Sequence, residues 1–334
     1  MANLAITARC NRDCSYCFAM DTLEKLDAKT SMMSMEVFDR SLRFLQRSGI
    51  DEVRLLGGEP TVHPEFGAMV DLALERGFRI VVFSGGLIPE RALDKLAAIP
   101  GDRLSVLVNV FDPRDATESD LSRQGDVYGR LGSRVMLGLN IASPAVEPDF
   151  MLRLIKLYGL RKRVRLGLAH PILGGENVSL HPRHYPEVGT RVTDFGLRAL
   201  RDGVTIEFDC GWVPCMFPEG ALEMLRKGPD EVGLRCNPIL DTMPDGQVIS
   251  CFPLAPHGTE TLSDQETAAG LRSRFETRQR PDRGHMLYQK CVTCDWRARG
   301  ECTGGCLSAS LGRRRSDSFS LTISAGDHGS MKPA

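Results

Sequence analysis

The chain has 334 residues, of which 42% are apolar and 25% charged, and its formal net charge is −1. This composition is typical of a soluble globular protein and excludes a collagen-like or disordered chain. The charge balance lacks the basic excess of nucleic-acid binders, and no apolar run approaches the ~18 residues of a membrane span. The first residues do not resemble an export signal, so we expect a cytoplasmic protein without nucleic-acid or membrane partners.

Short β-type runs alternate with helical patterns over the first 205 residues. The predicted strands cover 4–7, 52–56, 79–83, 104–110, 134–141, 164–169 and 204–208. The predicted helices begin after the N-cap residue Ser34 and near 65–76, 90–98, 147–158 and 186–200. Strands that alternate with helices indicate parallel βαβ units, and six such units predict a partial or complete α/β barrel.

The pattern changes beyond residue 205 to short segments rich in Cys, Gly and Pro. Such a region would gain folding energy from bound metal. We therefore predict a barrel domain over 1–205 and a small cysteine-rich domain over 206–310. Residues 311–334, which include Arg313-Arg314-Arg315, are predicted to be a disordered tail, with a basic patch as the alternative.

Eleven cysteines divide into three near the start and eight after residue 209. In a reducing compartment they are expected to be metal ligands or redox groups. Cys10, Cys14 and Cys17 lie in CNRDCSYC, directly after the first strand. A [4Fe–4S] cluster takes four ligands, so three thiolates would leave one iron open for a substrate or cofactor. The alternative is a zinc knuckle whose fourth ligand comes from a distant residue.

This C-x3-C-x2-C spacing, with Tyr16 before the third cysteine, resembles the defining motif of the radical S-adenosylmethionine (SAM) superfamily. The resemblance implies a partial (β/α)6 TIM-like barrel, a [4Fe–4S] cluster on the three cysteines, and SAM on the open iron. It also implies that ligands lie at the C-terminal ends of the strands, as the general barrel rule predicts.

A second family feature, Gly57-Gly58-Glu59-Pro60, ends the second strand. In this superfamily a GGE motif holds the methionine end of SAM. Glycine lets the backbone approach a ligand, and a carboxylate suits the ammonium group. Ser84 matches a position where relatives often place a polar residue for the ribose. Asn109 and Asn140 are further candidates, for which turn or capping roles are the alternative.

The eight later cysteines resemble the SPASM extension, which holds auxiliary [4Fe–4S] clusters. A hairpin turn over 244–248 is predicted to bring Cys236 and Cys251 together. A C-x2-C-x7-C-x3-C run follows, with a longer middle spacer than is usual and without the usual final cysteine. Two cysteines lie upstream where the family normally has one. The resemblance implies one or two clusters on Cys210, Cys215, Cys236, Cys251, Cys291, Cys294, Cys302 and Cys306.

A structural zinc ribbon is the alternative for the C-terminal run. It would be formed by Cys291, Cys294, Cys302 and Cys306. Two histidines next to prolines near strand ends, His63 and His170, are expected to have turn or packing roles.

The resemblance implies an oxidoreductase or maturase that cleaves SAM to a 5′-deoxyadenosyl radical and abstracts a hydrogen atom. The electron would come from an external donor such as flavodoxin or ferredoxin. The expected substrate is a peptide or protein that is oxidised or crosslinked, and the alternative is a small-molecule dehydrogenase or natural-product tailoring enzyme. Because the first strand begins at about residue 3, we expect a peptide either to bind at the mouth of the barrel or to come with a separate recognition partner. An electron-transfer or zinc-ribbon binding protein would not need the GGEP motif.

Overall fold

The structure, a computed structural model, describes residues 2–225 and 234–312. Within these ranges the strands are β1 (Asn3–Thr7), β2 (Glu52–Gly57), β3 (Arg79–Ser84), β4 (Leu104–Asn109), β5 (Val135–Ile141), β6 (Arg163–Leu168), β7 (Thr205–Phe208), β8 (Asp241–Thr242), β9 (Gln247–Ile249) and β10 (Thr259–Thr261). The α-helices are α1 (Met20–Leu23), α2 (Met35–Arg47), α3 (Phe66–Glu75), α4 (Glu90–Ala97), α5 (Glu118–Leu131), α6 (Phe150–Tyr158), α7 (Tyr185–Arg201), α8 (Ala221–Leu225), α9 (Ala268–Gln279) and α10 (Asp295–Ala298). Short 3-10 turns cover Pro60–Val62, Gly132–Arg134, Pro182–His184, Pro214–Met216, Phe252–His257, Arg280–Gly284 and Gln289–Thr293.

The seven strands β1 to β7 pair in parallel in sequence order. Residues that point outwards, such as Val53 and Leu55, are buried in the core that the strands form with the surrounding helices. The inner face carries more polar residues, among them Asn109, Asn140 and Arg165, and these are half-buried. The predicted α/β fold, a partial (β/α)6 TIM-like barrel, is confirmed.

Helix α2 shows how local sequence determines an element. The hydroxyl oxygen of Ser34 accepts a hydrogen bond from the backbone N–H of Val37, which caps the first turn. Phe38, Leu42 and Leu45 are buried on one face. Gly49, with φ +67°, follows the end of the helix in a conformation that favours glycine.

The cysteine-rich region continues the same sheet. Strands β8 and β9 form the predicted hairpin, and Gly246 adopts φ +85° in its turn. Strand β8 also pairs in parallel with β1, so the hairpin lies beside the first barrel strand. Two long helices, α5 and α9, are absent from the sequence predictions.

The C-terminal end departs from the predicted tail. Residues 307–312 are also helical, in addition to α1 to α10, and Leu311 is buried beside Leu307, Leu173 and Leu254. Residues 311 and 312 are therefore helical, and Leu311 packs against apolar side chains, which differs from a disordered tail that begins at residue 311. The rest of the predicted tail, with Arg313-Arg314-Arg315, lies outside the described residues. The division between domains at residue 205 stays a prediction. None of the described helices has the length and apolar character that a membrane span requires.

Candidate functional site

The first three cysteines lie in a tight loop at the C-terminal end of β1. The backbone N–H of Cys17 donates to the carbonyl of Cys14 at 2.8 Å. Burial raises the pKa of the Cys10 thiol, and the charges of Glu59 and of the other two thiols raise it further. Three thiols that oppose one another's ionisation form a donor set that a cationic iron centre would stabilise. The residues present therefore fit a three-cysteine cluster site.

Two residues between the cysteines anchor this loop to neighbouring strands. The Arg12 guanidinium donates to the carbonyls of Gly85 at 3.2 Å and Asn109 at 3.0 Å, and it stacks 3.6 Å from the centre of the Phe111 ring. Asn11 donates from Nδ2 to the carbonyl of Leu87 at 2.7 Å. Sequence reasoning missed both residues, because their partners lie more than 70 positions away along the chain.

The GGE segment packs directly on the cysteine loop. Gly58 donates its N–H to the Thr7 carbonyl and Glu59 donates to the Arg9 carbonyl, both at 2.8 Å. A Cβ atom at Gly58 would lie 2.1 Å from the Arg9 oxygen, and one at Gly57 would lie 2.2 Å from the Thr7 oxygen. Both positions therefore require glycine, and the predicted methionine-binding segment lies beside the predicted cluster ligands.

The Glu59 carboxylate is buried, with 1% of the residue exposed, and it accepts four hydrogen bonds. Oε1 accepts from the hydroxyl and the N–H of Thr61 at 2.6 and 3.2 Å. Oε2 accepts from the Ser84 hydroxyl at 3.0 Å and the Gly85 N–H at 2.8 Å. Burial raises the pKa of Glu59, and these four bonds oppose the shift. Cofactor contacts of Glu59, Pro60 and Ser84 stay predictions.

The other predicted cofactor residues lie at the same end of the barrel. Burial raises the pKa of Tyr16 to about 12. The side-chain oxygens of Asn109 and Asn140 lie over the next strand, 2.9 and 2.7 Å from where a Cβ atom at Gly138 or Gly167 would be. The two glycines therefore leave room for these amides on the inner face. Their roles as ligands stay predictions.

Four of the later cysteines surround one small cavity, and we call them the cavity group. It comprises Cys215, Cys291, Cys294 and Cys302. Burial raises the pKa of Cys215, and the other three thiols raise it further. The rest of the cavity wall is formed by Val213, Pro214, Tyr288, Trp296, Arg297 and Gly304. Four thiols around one cavity are a donor set that suits an iron–sulfur cluster.

The remaining four cysteines form a second set, which we call the barrel group because it adjoins the end of β6. It comprises Cys210, Cys236, Cys251 and Cys306. Burial raises the pKa of Cys210 to about 11. Burial also raises the pKa of Cys251 well above its usual value, and the other three thiols add to that shift. Cys236 and Cys251 are close together, as the hairpin predicted.

His170 lies among the thiols of the barrel group. We expected only a turn or packing role for this histidine. Burial lowers the pKa of His170, but the Cys306 and Cys210 thiols outweigh it, and the net pKa is well above the usual value. Burial raises the pKa of Cys306, but His170 outweighs it, and the net pKa falls. His170 and Cys306 are 136 positions apart, so the local sequence gave no signal for this contact.

The division into two groups contradicts the zinc-ribbon ligand set. That set requires Cys306 beside the C-x2-C pair, whereas Cys306 contacts His170 and the barrel group. In the described part of the chain, no three Cys, His, Asp or Glu side chains converge closely enough to hold a single metal ion. The two upstream cysteines belong to different groups, Cys215 to the cavity group and Cys210 to the barrel group.

Comparison with known proteins agrees with this geometry. Residues 4–133 match the family model of the radical SAM superfamily, so the chain contains a radical SAM domain. This confirms the resemblance drawn from CNRDCSYC and GGEP. The cofactors of that superfamily are a [4Fe–4S] cluster and SAM, and the cysteine-rich C-terminus is compatible with auxiliary clusters.

Two curated relatives illustrate the sequence similarity. One is an S-adenosylmethionine-dependent nucleotide dehydratase of Thermoplasmatales archaeon (strain ISO4-H5), 27% identical over 45% of this chain and 55% of its own length. Another is a GTP 3′,8-cyclase of Geobacter sulfurreducens, 31% identical over 47% of this chain and 46% of its own length. The chain thus spans about half the length of these relatives.

Solved structures extend the likeness across most of the fold. A structure of anSMEcpe with bound AdoMet and Kp18Cys peptide has a TM-score of 0.66 and 18% identity, and covers 91% of this chain and 88% of that chain. Streptococcus suis SuiB bound to the precursor peptide SuiA has a TM-score of 0.61 and 13% identity, covering 88% of this chain and 69% of that chain. At these identities the likeness shows the fold.

Proposed function

We propose that this chain is a radical SAM enzyme that abstracts a hydrogen atom from a peptide or protein substrate, which it oxidises or crosslinks. The observation that carries the proposal is the contact between the cysteine loop and the GGE segment, where Gly58 and Glu59 bond to the carbonyls of Thr7 and Arg9. When bound, the [4Fe–4S] cluster supplies the electron that cleaves SAM. The protein supplies binding, orientation and exclusion of water.

The chain's own residues divide these tasks. Cys10, Cys14 and Cys17 would hold the cluster and leave one iron open. Arg12 keeps their loop on the ends of β3 and β4 through two carbonyls. Glu59 joins the ends of β2 and β3 through Ser84. A rigid edge of this kind would hold SAM in one orientation towards the inner face of the barrel.

The two later groups support auxiliary clusters. The cavity group and the barrel group each supply four thiols, so each could ligate one complete [4Fe–4S] cluster. With the first three cysteines they account for all eleven in the chain. Auxiliary clusters suit a reaction whose product radical must lose an electron, and oxidation or crosslinking is such a reaction.

The charges of the inner face favour a peptide over a nucleotide. The arginines on the inner faces of β2 and β6 already have acidic partners. The ion pairs are Arg54 with Glu52, Arg163 with Glu207, and Arg165 with Asp209. A triphosphate would need cations that are not already neutralised, and these three arginines do not supply them. The peptide-bound neighbours in the fold comparison add support, since their similarity covers about nine-tenths of this chain.

A small-molecule substrate is the second candidate. It is favoured by the curated relatives, which are named for reactions of GTP or nucleotides. Their similarity is restricted to about half of this chain, so it carries less weight for the substrate than for the SAM site.

Deuterium transfer distinguishes the two candidates. Reconstituted protein is incubated anaerobically with SAM and dithionite, plus either perdeuterated peptides or perdeuterated ribonucleotides. We expect 5′-deoxyadenosine, with deuterium from the peptides only. The Cys10/Cys14/Cys17→Ala variant is the control and should form none. Deuterium from the nucleotides alone would overturn the peptide proposal, and equal turnover by the control would overturn the radical SAM proposal.

A further inference from the structure

Residues 170–180, which we call the connector segment, follow β6 and contain neither a helix nor a strand. Backbone hydrogen bonds nevertheless hold this segment at two places. The N–H of Leu180 donates to the carbonyl of Ala169 at 2.9 Å, so the segment returns to the end of β6. The N–H of Val178 donates to the carbonyl of Ser15 at 2.9 Å, which places the second half of the segment on the first cysteine loop.

The first half of the connector segment lies against the barrel group. The Leu173 side chain is buried in a small apolar cluster, and Cys236 and Cys251 pack against the same cluster. The hydroxyl of Ser308 donates to the carbonyl of Pro171, which joins the segment to the C-terminal cysteine region. The connector segment therefore contacts both the first cysteine loop and the barrel group.

The side chain of Asn177 closes this connection with three hydrogen bonds. Its Nδ2 donates to the carbonyls of Tyr16 at 3.2 Å and His170 at 3.0 Å. Its Oδ1 accepts from the N–H of Ile172 at 3.1 Å. Carbonyl oxygens only accept and the backbone N–H only donates, so these partners allow one orientation of the amide. One side chain thus joins the first cysteine loop to the residue that lies among the thiols of the barrel group.

We propose that Asn177 is a positioning residue that keeps the first cysteine loop at one fixed distance from the barrel group. The inference rests on the proposed function, in which the first site takes a hydrogen atom from the substrate and an auxiliary cluster takes an electron from the product radical. Two centres that act on one bound substrate need a constant separation, because a displacement of about 1 Å can lower a rate by about 100-fold. A side chain with all its polar atoms bonded keeps one rotamer and so maintains that separation.

The test measures the separation in a protein that holds only the two clusters concerned. Cys215→Ala with Cys291→Ala removes two ligands of the cavity group and should leave about 8 iron atoms per chain. After reduction, pulsed EPR measures the magnetic coupling between the two remaining clusters, which weakens as their separation grows. We expect one resolved coupling in this background, because the connector segment allows one separation.

Asn177→Asp is the informative substitution. It preserves the size of the side chain and an oxygen that accepts from the Ile172 N–H, but it removes both donors to the carbonyls of Tyr16 and His170. We expect the resolved coupling to be lost, because the two clusters then adopt a range of separations. Amide hydrogen exchange at Val178 should accelerate by about tenfold.

Glu176→Gln is the matched control, since Glu176 belongs to the same segment and is exposed. It should leave both the coupling and the exchange rate unchanged. A residue that only stabilised the fold would lower the free energy of unfolding without affecting the coupling. An unchanged coupling in Asn177→Asp, with iron retained, would therefore overturn the inference.

Hydrogen exchange in the unsubstituted, iron-loaded protein covers the case in which Asn177→Asp loses iron. The Val178 amide should exchange at least about tenfold more slowly than in an unstructured peptide, and it should open together with residues 15–17. Exchange at the rate of an unstructured peptide would also overturn the inference. The proposed function fails separately, because iron below about 8 atoms per chain before Asn177 is changed would mean that the two clusters do not both form.

Discussion

Ser84 donates its hydroxyl hydrogen to Oε2 of Glu59 across 3.0 Å, so two residues that the sequence predicts at different parts of SAM are bonded to each other. The Ser84 oxygen in turn accepts from the Gly86 N–H at 2.9 Å. This network joins the C-terminal ends of β2 and β3. The polar edge that would face SAM is thus formed by the protein itself, without the cofactor. Glu59 therefore contributes to the stability of the fold as well as to the proposed binding of SAM.

Glu59→Gln should therefore weaken both the fold and SAM binding. The carboxylate accepts from four donors, whereas a glutamine amide would turn an NH2 group towards some of them, including the fixed backbone N–H groups of Thr61 or Gly85. We expect the free energy of unfolding to fall by about 1–3 kcal/mol. Loss of the charge opposite the SAM ammonium should reduce affinity by roughly 10- to 150-fold. Chemical denaturation and calorimetric SAM titration measure the two effects separately.

Glu65→Gln is the control, because Glu65 is exposed and close in sequence. It should preserve both quantities. If Glu59→Gln lowered stability but left SAM affinity intact, the carboxylate would be structural only. Wild-type stability would contradict the role of the four hydrogen bonds.

Arg12→Ala should loosen the first cysteine loop. The substitution removes two hydrogen bonds to carbonyls and the stacking on Phe111. We expect amide hydrogen exchange in residues 10–17 to accelerate by about tenfold in the iron-free protein. The same variant should bind less iron at the first site after reconstitution. Arg9→Ala is the control, since the Arg9 side chain is exposed and its carbonyl is unaffected; equal exchange rates in the two variants would refute the anchor.

Local chemistry explains which elements the sequence predicts. Ser34 capped its helix and Gly246 formed its turn, because each acts on neighbours a few positions away. Helix α9 escaped prediction because its sequence, AAGLRSRFETRQ, is mostly polar and small. Its buried apolar positions are chiefly Leu271 and Phe275, one helical turn apart, and so short a stripe is a weak periodic signal.

The sequence indicated which cysteines belong to the candidate site, but it did not indicate which residues contact one another there. The spacing of the first three cysteines, together with Tyr16 and the GGEP segment, indicated the resemblance to the family. The choice between Cys210 and Cys215 depends on which of two groups each can reach, and that depends on packing between segments more than 70 residues apart. The hydrogen bonds of Arg12 span 73 and 97 positions, and the contact of His170 with Cys210 spans 40. Long-range contacts of this kind leave no periodic or motif signature.

The division of the later cysteines into two groups predicts different losses of iron for two double substitutions. Cys215→Ala and Cys291→Ala remove ligands from the same group, so the double variant should lose about 4 iron atoms per chain from a full content of about 12. Cys215→Ala with Cys306→Ala affects both groups and should lose about 8. Iron and sulfide analysis on anaerobically reconstituted protein measures this difference. Equal losses in the two double variants would show that the cysteines do not divide in this way.

Asp241 on β8 is a buried acid beside Asn3 on β1. Nδ2 of Asn3 donates to Oδ1 of Asp241 at 2.7 Å, while Oδ1 of Asn3 is buried and has no hydrogen-bond partner among the described residues. Burial raises the pKa of Asp241 to about 7, from 3.8, although the bond from Asn3 opposes the shift. The folded state therefore holds this proton over a pH range in which the unfolded chain has released it.

Asp241→Asn should stabilise the protein at alkaline pH. Because the folded pKa lies above the unfolded one, the native state binds more protons between about pH 4 and 7, and the free energy of unfolding falls as pH rises through that window. The loss amounts to at most about 4 kcal/mol. An asparagine side chain at position 241 stays neutral. If the Asn3 amide flips, Oδ1 of Asn3 can accept a hydrogen bond from the NH2 group of the introduced asparagine. Denaturation of both proteins at pH 5 and pH 8 should show a smaller pH dependence in the variant, with its advantage largest at pH 8; parallel pH profiles would contradict the buried-acid account.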